Sequence, residues 1–281
     1  SATNATPSSS PTPRPSPLSP LDEGRIASGT FQSQTLGREM PYLVYLPPGY
    51  DRSPDQRYPA VYMLHGMGGL NIEWLDYGFA RTADRLMRAG EIPPFIIVFP
   101  QGDQSYWMDH AGGGPRWGTY TALDVVAAID ARFRTQADRR YRAIGGLSMG
   151  ADGALQLGLN FPSVFGIVGA HSPYLRREDE AIVFFGKGKD YAERDPWSLA
   201  RARPEVARTL ALWIDVGATD ERRDVVALFH RELDQLGITH FWRELIGSHS
   251  EEYWGGYSPQ FLRYYAAAFC GFDDDYVARR M

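Results

Sequence analysis

Residues 146–150 read Gly-Leu-Ser-Met-Gly, which places Ser148 between two glycines at the end of a short apolar stretch. A serine in this pattern, between a strand and a helix, is typical of a nucleophile exposed at a sharp turn. A Cβ at Gly146 or Gly150 would clash across such a turn. The pattern therefore predicts a strained backbone at Ser148 and covalent acyl chemistry at its Oγ. The alternative is that Ser148 only caps the following helix.

An acid and a base follow Ser148 in the chain order Ser, Asp, His. Residues 209–220 resemble a buried strand and then a glycine-led loop that ends at Asp220, and residues 239–246 alternate like a strand before His249. Because both side chains follow the carboxyl ends of predicted strands, we expect them to meet Ser148. In this assignment His249 accepts and returns the proton, and Asp220 fixes the imidazole tautomer.

Both assignments have alternatives. Asp220 could only cap the helix that begins near Glu221, and Asp215 is a rival acid, although it lies inside the predicted strand. His249 could be a solvated loop residue. The other five histidines fit a general base less well. His230 lies in a predicted helix and His240 opens a strand, whereas His171 follows the strand after Ser148. His110 lies too early in the chain, and His65 belongs to the glycine-rich turn described next.

A second glycine-rich turn predicts an oxyanion hole. Residues 58–64 form an apolar stretch that leads into His-Gly-Met-Gly-Gly at residues 65–69. Backbone N–H groups in such a turn can converge on one point because no side chains obstruct them. We predict that the N–H of Met67 is one donor, with Gly68 as the alternative, and that the N–H of Met149 is the other. The alternative is that residues 65–69 only connect a strand to a helix and bind no substrate oxygen.

These segments together resemble a known family. Residues 65–69, 145–150, 217–220 and 247–254 are similar to the esterase D-like, or putative esterase, family of α/β-hydrolases. That family includes feruloyl and acetylxylan esterases, S-formylglutathione hydrolases and mycolyltransferases. The resemblance covers roughly residues 24–270. It implies an α/β-hydrolase fold, with a mostly parallel central sheet and helices on both faces.

The resemblance departs from the family pattern directly after the predicted nucleophile turn. Ala151 and Asp152 stand where many relatives carry glycine and then glycine or an aromatic residue. A carboxylate at Asp152 suits the first turn of a helix, where the helix dipole favours negative charge. Near the pocket it could alter the preference for the leaving group.

The alternation of apolar and polar segments predicts one α/β domain. Residues 26–32 and 42–46 are expected to open the fold as an antiparallel pair. Further strands are predicted at residues 95–100 and 165–170. Helical spacing is expected at three places: residues 123–133, residues 155–159 as the continuation of the helix after Ser148, and residues 259–269.

Composition excludes several classes of function. The net charge of −5 provides no excess of positive charge with which to bind nucleic acid or an anionic membrane. No apolar run approaches the ~18 residues of a membrane helix. Cys270 is the only cysteine, so an internal disulfide is impossible and a Cys-based metal site is disfavoured. We therefore expect no transmembrane segment, no metal and no cofactor.

The beginning of the chain has a different composition from the rest. The first 20 residues contain six Pro, six Ser and three Thr, without hydrophobic periodicity. This composition predicts a disordered linker over residues 1–22, followed by one catalytic domain over residues 23–281. Linkers of this kind often tether extracellular enzymes, so we expect a secreted or cell-surface protein attached through the linker to an anchor or another module. An unrelated tail is the alternative.

Two loops are expected to determine substrate choice: residues 101–117 and residues 174–206. The high charge of the second loop disfavours a lid for long lipids. The predicted substrate-contacting side chains are Trp107, Trp117, His171 and Trp254, since flat rings stack on sugars and aromatic acids. The alternative is that these tryptophans cover the edge of the core and that Trp254 packs the histidine loop.

Together these features predict a secreted serine carboxylesterase that acts on small or aromatic acyl esters, such as feruloyl or acetyl groups on plant polysaccharide. One alternative is an acyltransferase of the mycolyltransferase type, in which an acceptor alcohol outcompetes water. The other is a catalytically silent binding module with the hydrolase fold.

Overall fold

The structure is a computed structural model that describes residues 23–272. The predicted linker, residues 1–22, lies outside the described residues, as do residues 273–281. Within residues 23–272 the chain forms one sheet with helices packed against both of its faces. Among these residues, none of the helices is both long enough and apolar enough to cross a membrane.

The strands of the described chain form one eight-stranded sheet in the spatial order β1-β2-β4-β3-β5-β6-β7-β8. β1 pairs antiparallel with β2, β2 pairs antiparallel with β4, and the remaining neighbours are parallel. The predicted antiparallel opening pair and the mostly parallel sheet are therefore confirmed. The strands are β1 (Arg25–Ser33), β2 (Arg38–Leu46), β3 (Ala60–Leu64), β4 (Ile96–Pro100), β5 (Arg142–Leu147), β6 (Ile167–His171), β7 (Ala211–Gly217) and β8 (Phe241–Leu245).

The central strands are buried on both faces, which explains why they read as continuous apolar runs in the sequence. In β3, Tyr62 and Leu64 point into one hydrophobic core, whereas Val61 and Met63 point into the core on the opposite face. This alternation follows from the two-residue period of side chains along a strand. The sheet is thereby held between two apolar layers, and its carboxyl edge carries the loops of the candidate site.

The helices are divided between these two layers. Buried side chains of α2 and α10 belong to one core, and those of α4, α5 and α9 belong to the other. The helices are α1 (Glu73–Asp76), α2 (Phe79–Arg88), α3 (Trp117–Thr119), α4 (Val126–Arg132), α5 (Met149–Asn160), α6 (Lys189–Ala192), α7 (Pro196–Ala202), α8 (Pro204–Ala207), α9 (Arg223–Gln235) and α10 (Glu251–Phe269), with a π-helical turn at Tyr120–Val125. The predicted helix over residues 123–133 thus begins in the π-helical turn and continues as α4.

The last helix begins earlier than the sequence pattern indicates. The expected helix covers residues 259–269, but α10 begins at Glu251 and contains Pro259 inside it. The side chain of Ser250 accepts a hydrogen bond from the N–H of Tyr253 and so caps the first turn. Gly255 is packed against the backbone of Tyr77, where a Cβ would lie 3.1 Å from a carbonyl oxygen. Tertiary packing therefore outweighs the low helix propensity of glycine and proline here.

Candidate active site

Ser148 occupies the single residue that joins β5 to α5. Its backbone has φ 52° and ψ −117°, a left-handed value that is strained for any residue with a Cβ. A Cβ at Gly146 would lie 2.4 Å from the carbonyl of Gly150, and one at Gly150 would lie 2.4 Å from the carbonyl oxygen of Leu64. The strained serine and the need for glycine on both sides are thus as predicted. The side chain of Ser148 is half-buried at the carboxyl edge of the sheet.

The structure brings the three predicted residues into one hydrogen-bonded chain. Ser148 Oγ lies 2.8 Å from Nε2 of His249, and Nδ1 of His249 lies 2.7 Å from Oδ2 of Asp220. Because a carboxylate only accepts hydrogen bonds, Nδ1 carries the proton of a neutral ring. The lone pair of Nε2 is then free to accept the hydroxyl proton of Ser148. The arrangement has the geometry required to activate a serine nucleophile.

The carboxylate of Asp220 is buried, but several donors stabilise its charge. Burial acts to raise the pKa of Asp220, whereas the hydrogen bonds from His249, from the N–H of Arg222 and from the Ser172 hydroxyl lower it, and the net shift is downward. Ser172 Oγ donates to Asp220 Oδ2 over 2.8 Å, and the N–H of Arg222 donates to Oδ1 over 2.7 Å. Arg222 is itself the N-cap of the helix that begins at Arg223, and no side chain caps that helix, so the contacts of Asp220 favour the role of orienting His249 over that of a helix cap.

The rival acid, Asp215, is engaged elsewhere. It is fully buried inside β7, and it accepts hydrogen bonds from the Trp213 indole and the Tyr253 hydroxyl, each at 2.6 Å, and from Nδ1 of His171 at 2.7 Å. Nε2 of His171 in turn lies 2.9 Å from the hydroxyl of Tyr265. The structure therefore contains a second His–Asp pair, and this pair belongs to the core.

The loop between β3 and α1 contains the first predicted oxyanion donor. Among the described residues, the N–H groups of Met67, Gly68 and Met149 have no acceptor in the protein. Gly68 has φ 77°, and the neighbouring Gly66 is so close to the nucleophile that its Cβ would lie 3.6 Å from Cβ of Ser148. Backbone donors of this kind are available to a substrate oxygen near Ser148. The choice between Met67 and Gly68 stays a prediction.

The buried side chain of His65 holds the peptide group that contains the Met67 N–H, and the half-buried side chain of Glu73 holds the peptide group before it. Nε2 of His65 accepts a hydrogen bond from the N–H of Gly102 over 3.0 Å, so the ring proton is on Nδ1, which donates to the carbonyl of Gly66 over 2.9 Å. This carbonyl and the N–H of Met67 belong to one planar trans peptide, so fixing one direction fixes the other. The N–H of Gly66 donates to Oε2 of Glu73 over 2.7 Å. Burial lowers the pKa of His65, which favours the neutral ring that this arrangement requires.

We expect His65→Gln to lower kcat by ~10-fold to ~100-fold with little change in KM, because a mispositioned oxyanion donor loses part of its contribution to the transition state. His65→Asn is the matched variant, since its side-chain amide can occupy the position of Nδ1 and still donate to Gly66. It should therefore retain more activity than the glutamine variant. Steady-state kinetics on an activated ester, with Tm measured for both proteins, provides the comparison. Equal kcat losses in the two variants would contradict the positioning role.

Two of the predicted substrate contacts are corrected by the structure. Trp107 and His171 have no exposed surface, so neither can touch a substrate in this conformation. Trp107 instead packs on the His65 ring and donates to the His65 carbonyl over 3.2 Å, because the positive φ of 56° at Trp107 turns its loop inward. Trp107 therefore supports the loop of His65 from behind. Trp117 is 6% exposed and packs against Tyr120, and its contact with substrate stays a prediction.

Trp254 lies beside the histidine loop. Its ring meets the His249 imidazole edge-on at 4.8 Å between centroids, and its Nε1 donates to the carbonyl of His171 over 3.2 Å. The side chain is 5% exposed. Packing of the histidine loop is therefore its observed role, and substrate contact by Trp254 stays a prediction.

Sequence reasoning missed Tyr174 as a component of this site. Its half-buried ring lies edge-on to His249 at 5.6 Å and is flanked by the guanidinium groups of Arg176, at 4.5 Å, and Arg222, at 4.9 Å. Ser172 was missed as well. The signal for both was their position, since they follow β6 at the carboxyl edge that also carries Ser148.

This sheet, with a strained serine between β5 and α5 and an acid and a histidine after β7 and β8, defines an α/β-hydrolase. The family model described as "Putative esterase" matches residues 33–265. The chain belongs to this family of esterases.

Individual relatives agree with this assignment. The chain is 34% identical over 182 residues to an endo-1,4-beta-xylanase/feruloyl esterase of Xylanibacter ruminicola, covering 60% of this chain and 25% of the relative. It is 34% identical over 158 residues to esterase Rv1288 of Mycobacterium tuberculosis, covering 54% of this chain and 33% of the relative. The chain therefore spans about a quarter to a third of the length of these curated relatives.

Solved structures show the same architecture. A ferulic acid esterase superimposes with a TM-score of 0.78 at 26% identity, covering 88% of this chain and 98% of that chain. An S-formylglutathione hydrolase from Agrobacterium tumefaciens has a TM-score of 0.73 at 20% identity and covers 88% of this chain and 96% of that chain. The second likeness shows the fold alone.

Proposed function

We propose that this chain is a serine carboxylesterase that works through an acyl-enzyme on Ser148. The observation that carries the proposal is the continuous hydrogen-bonded chain from Ser148 Oγ through His249 to Asp220. The N–H groups of Met67 and Met149, which have no protein acceptor among the described residues, supply the complementary electrostatic element. Nucleophile, base, orienting acid and oxyanion donors are the parts that acyl transfer requires.

Each group has a defined step in the proposed reaction. Ser148 Oγ forms a bond to the ester carbonyl carbon while its proton moves to Nε2 of His249, and the carbonyl oxygen becomes an oxyanion that the two N–H groups bind. The bond to the alcohol oxygen then breaks, and His249 protonates the departing alcohol. In the second half His249 takes a proton from water as the water oxygen attacks the acyl carbon. The bond to Ser148 Oγ then breaks, His249 returns the proton to Oγ, and the acid is released. Asp220 stays ionised throughout and stabilises the imidazolium.

The exposed apolar side chains support a substrate with a small or aromatic acyl group. Five of the eight large apolar side chains that the described residues expose lie in loops after β3, β6 and β8, at the carboxyl edge of the sheet: Met67, Leu70, Ile72, Val183 and Ile246. With the ring of Tyr174 beside His249, these loops offer apolar surface to an acyl group. The names of the relatives, a xylanase/feruloyl esterase and a ferulic acid esterase, favour feruloyl or acetyl esters of plant polysaccharide as the substrate class.

The two loops expected to determine specificity pack against each other. Phe184 stacks on His110 at 4.1 Å, and Phe185 meets Tyr106 edge-on at 5.4 Å. Their aromatic surface is thus directed toward the neighbouring loop, and the segment around residues 177–180 presents charged side chains to solvent. This arrangement favours short or aromatic acyl groups over long lipid chains.

The location of the protein is a further part of the proposal. A polysaccharide-linked ester is an extracellular substrate, and the Pro/Ser/Thr composition of residues 1–22 is that of linkers in exported enzymes. We therefore propose that the enzyme is secreted or held at the cell surface through this segment.

The substrate proposal is tested by kcat/KM on methyl ferulate relative to p-nitrophenyl acetate, with Ser148→Ala as the control. We expect a strong preference for the ferulate that disappears in the alanine variant. Activity on the acetate alone would leave an esterase but remove the aromatic acyl group from the proposal. Formation of a new ester with an added sugar alcohol, faster than hydrolysis, would favour the acyltransferase alternative.

A further inference from the structure

A cluster of potential metal ligands lies at the end of α9 that is remote from the triad loops. His230 and Asp234 are one helical turn apart on α9, and His240 follows in the loop that leads into β8. One ligand atom from each of these residues lies within 4.8 Å of the other two. The mechanism uses none of the three side chains. They connect the carboxyl end of the helix to the start of the edge strand.

The hydrogen bonds of His240 determine which of its nitrogens is free. Nδ1 of His240 lies 2.8 Å from the carbonyl oxygen of Ile238, and since a carbonyl only accepts, Nδ1 carries the proton. The lone pair of Nε2 therefore points at His230, whose Nδ1 lies 2.8 Å away. A histidine whose other nitrogen donates to a backbone carbonyl is the arrangement typical of metal ligands.

The second histidine lies beside the carboxylate. If a neutral His230 donates from Nδ1 to His240, its own Nε2 carries a lone pair, and this atom lies 3.6 Å from Oδ2 of Asp234. The cluster thus brings together two imidazole rings and one carboxylate, which are electron-pair donors suited to a cation.

The cluster is both held in place and reachable from solvent. The ring of His230 stacks on Trp242 with centroids 4.6 Å apart and an angle of 4° between the planes, so its orientation is fixed. The side chain of His230 is 21% exposed and that of Asp234 is 61% exposed. Zinc–ligand bonds of about 2.0–2.2 Å with tetrahedral angles need ligand atoms roughly 3.3 Å apart, a separation that small side-chain adjustments reach from the observed distances.

We propose that His230, Asp234 and His240 bind one divalent transition-metal ion, with Zn²⁺ as the favoured type. Two imidazoles and one carboxylate suit zinc, and three protein ligands leave a position for water. His240 contributes Nε2 and His230 one of its two ring nitrogens, so the hydrogen bond between the two rings is given up when the ion binds. The ion would fasten α9 to the start of β8. The opposite ends of both elements border the site, because α9 begins three residues after Asp220 and β8 ends four residues before His249. Since the cluster lies at the ends away from the site, we expect the ion to affect stability.

The test is calorimetric titration of ZnCl₂ into the chelator-treated protein, together with Tm measured at increasing Zn²⁺. We expect one equivalent to bind, and Tm to rise by roughly 5 to 10 °C at a hundredfold excess over Kd. His240→Gln and His230→Gln should each weaken binding at least tenfold and abolish the rise in Tm. Co²⁺ bound in place of Zn²⁺ should give the visible absorption of a low-coordinate site.

Two control variants distinguish zinc binding at this cluster from zinc binding elsewhere on the protein. Asp224→Asn changes an exposed carboxylate on the same helix and should bind Zn²⁺ as the unaltered protein does. His249→Gln removes the triad histidine and should also retain the full equivalent of zinc. Absence of binding by the unaltered protein, or undiminished binding by His240→Gln, would overturn the proposal. Loss of binding in His249→Gln would place the ion at the triad and overturn it as well. None of these outcomes depends on ester hydrolysis.

Discussion

Replacing Ser148 by alanine should lower kcat/KM on an activated ester by about 10⁵-fold to 10⁶-fold, because the triad acts as a unit once its nucleophile is lost. The substitution removes only the hydroxyl group of Ser148, and Nε2 of His249 then has no proton to accept. The strained backbone at this position is the same for alanine as for serine. The measurement is steady-state hydrolysis of p-nitrophenyl acetate by purified wild-type and variant protein.

The control for this prediction is the stability of the variant. Since the half-buried side chain loses one hydrogen bond, Tm should stay within roughly 2 °C of the wild-type value. A variant with intact Tm and wild-type turnover would show that another residue is the nucleophile. In that event the turn at Ser148 has only a structural role.

Replacing Asp220 by asparagine should lower kcat by about 10⁴-fold, since the amide can donate to Nδ1 of His249 and so favours the wrong tautomer. Nε2 then carries a proton and cannot accept one from Ser148. The N–H of Arg222 can still donate to the asparagine oxygen, which takes the place of Oδ1. The Ser172 hydroxyl can turn to accept from the amide NH2, which takes the place of Oδ2, so the loop keeps its conformation. Kinetics over a range of pH, compared with wild type, measures the effect.

Asp215→Asn is the matched control because Asp215 contacts Nδ1 of His171 as Asp220 contacts Nδ1 of His249. Asp215 accepts from Trp213, Tyr253 and His171, and an amide group would point a donor at one of these donors. We expect a loss of about 1–3 kcal/mol in the free energy of unfolding, with turnover retained by the folded protein. A 10⁴-fold loss in kcat for Asp215→Asn, with Asp220→Asn active, would reverse the choice of acid.

The sequence predicts the sheet and the meeting of Ser148, Asp220 and His249 for a physical reason. Strands buried on both faces produce apolar runs, and side chains that follow such runs in a parallel sheet meet at one edge. This rule distinguishes Asp220, beyond the end of β7, from Asp215 inside it, although both turn out to contact a histidine. Residue type alone could not have separated the two pairs.

The direction of side chains in the irregular loops was not predictable in the same way. Tyr106 and Trp107 have φ of 55° and 56°, and these left-handed values turn the loop toward the core. An aromatic residue among glycines has the same appearance in the sequence whether it lines a pocket or supports one from behind. The assignment of Trp107 to substrate contact failed for this reason, and Tyr174, which does lie beside His249, was missed because no period or motif marks it.

The hydrogen bonds that support the site could not be predicted from the sequence, for a different reason. Glu73 reaches the N–H of Gly66 across seven residues, and the Ser172 hydroxyl reaches Asp220 across 48. Such contacts depend on how loops cross in three dimensions, and no local pattern specifies them. They become visible only when the loops after β3, β6 and β7 are placed in three dimensions.

The prediction for Ser148 is tested most directly by intact-mass measurement after reaction with a fluorophosphonate, followed by identification of the labelled peptide. The account predicts one adduct per chain, located on Ser148, with no adduct in Ser148→Ala and slow labelling in Asp220→Asn. A folded protein that takes up no label would favour a silent hydrolase-fold module. Label on any other residue would contradict the proposed mechanism.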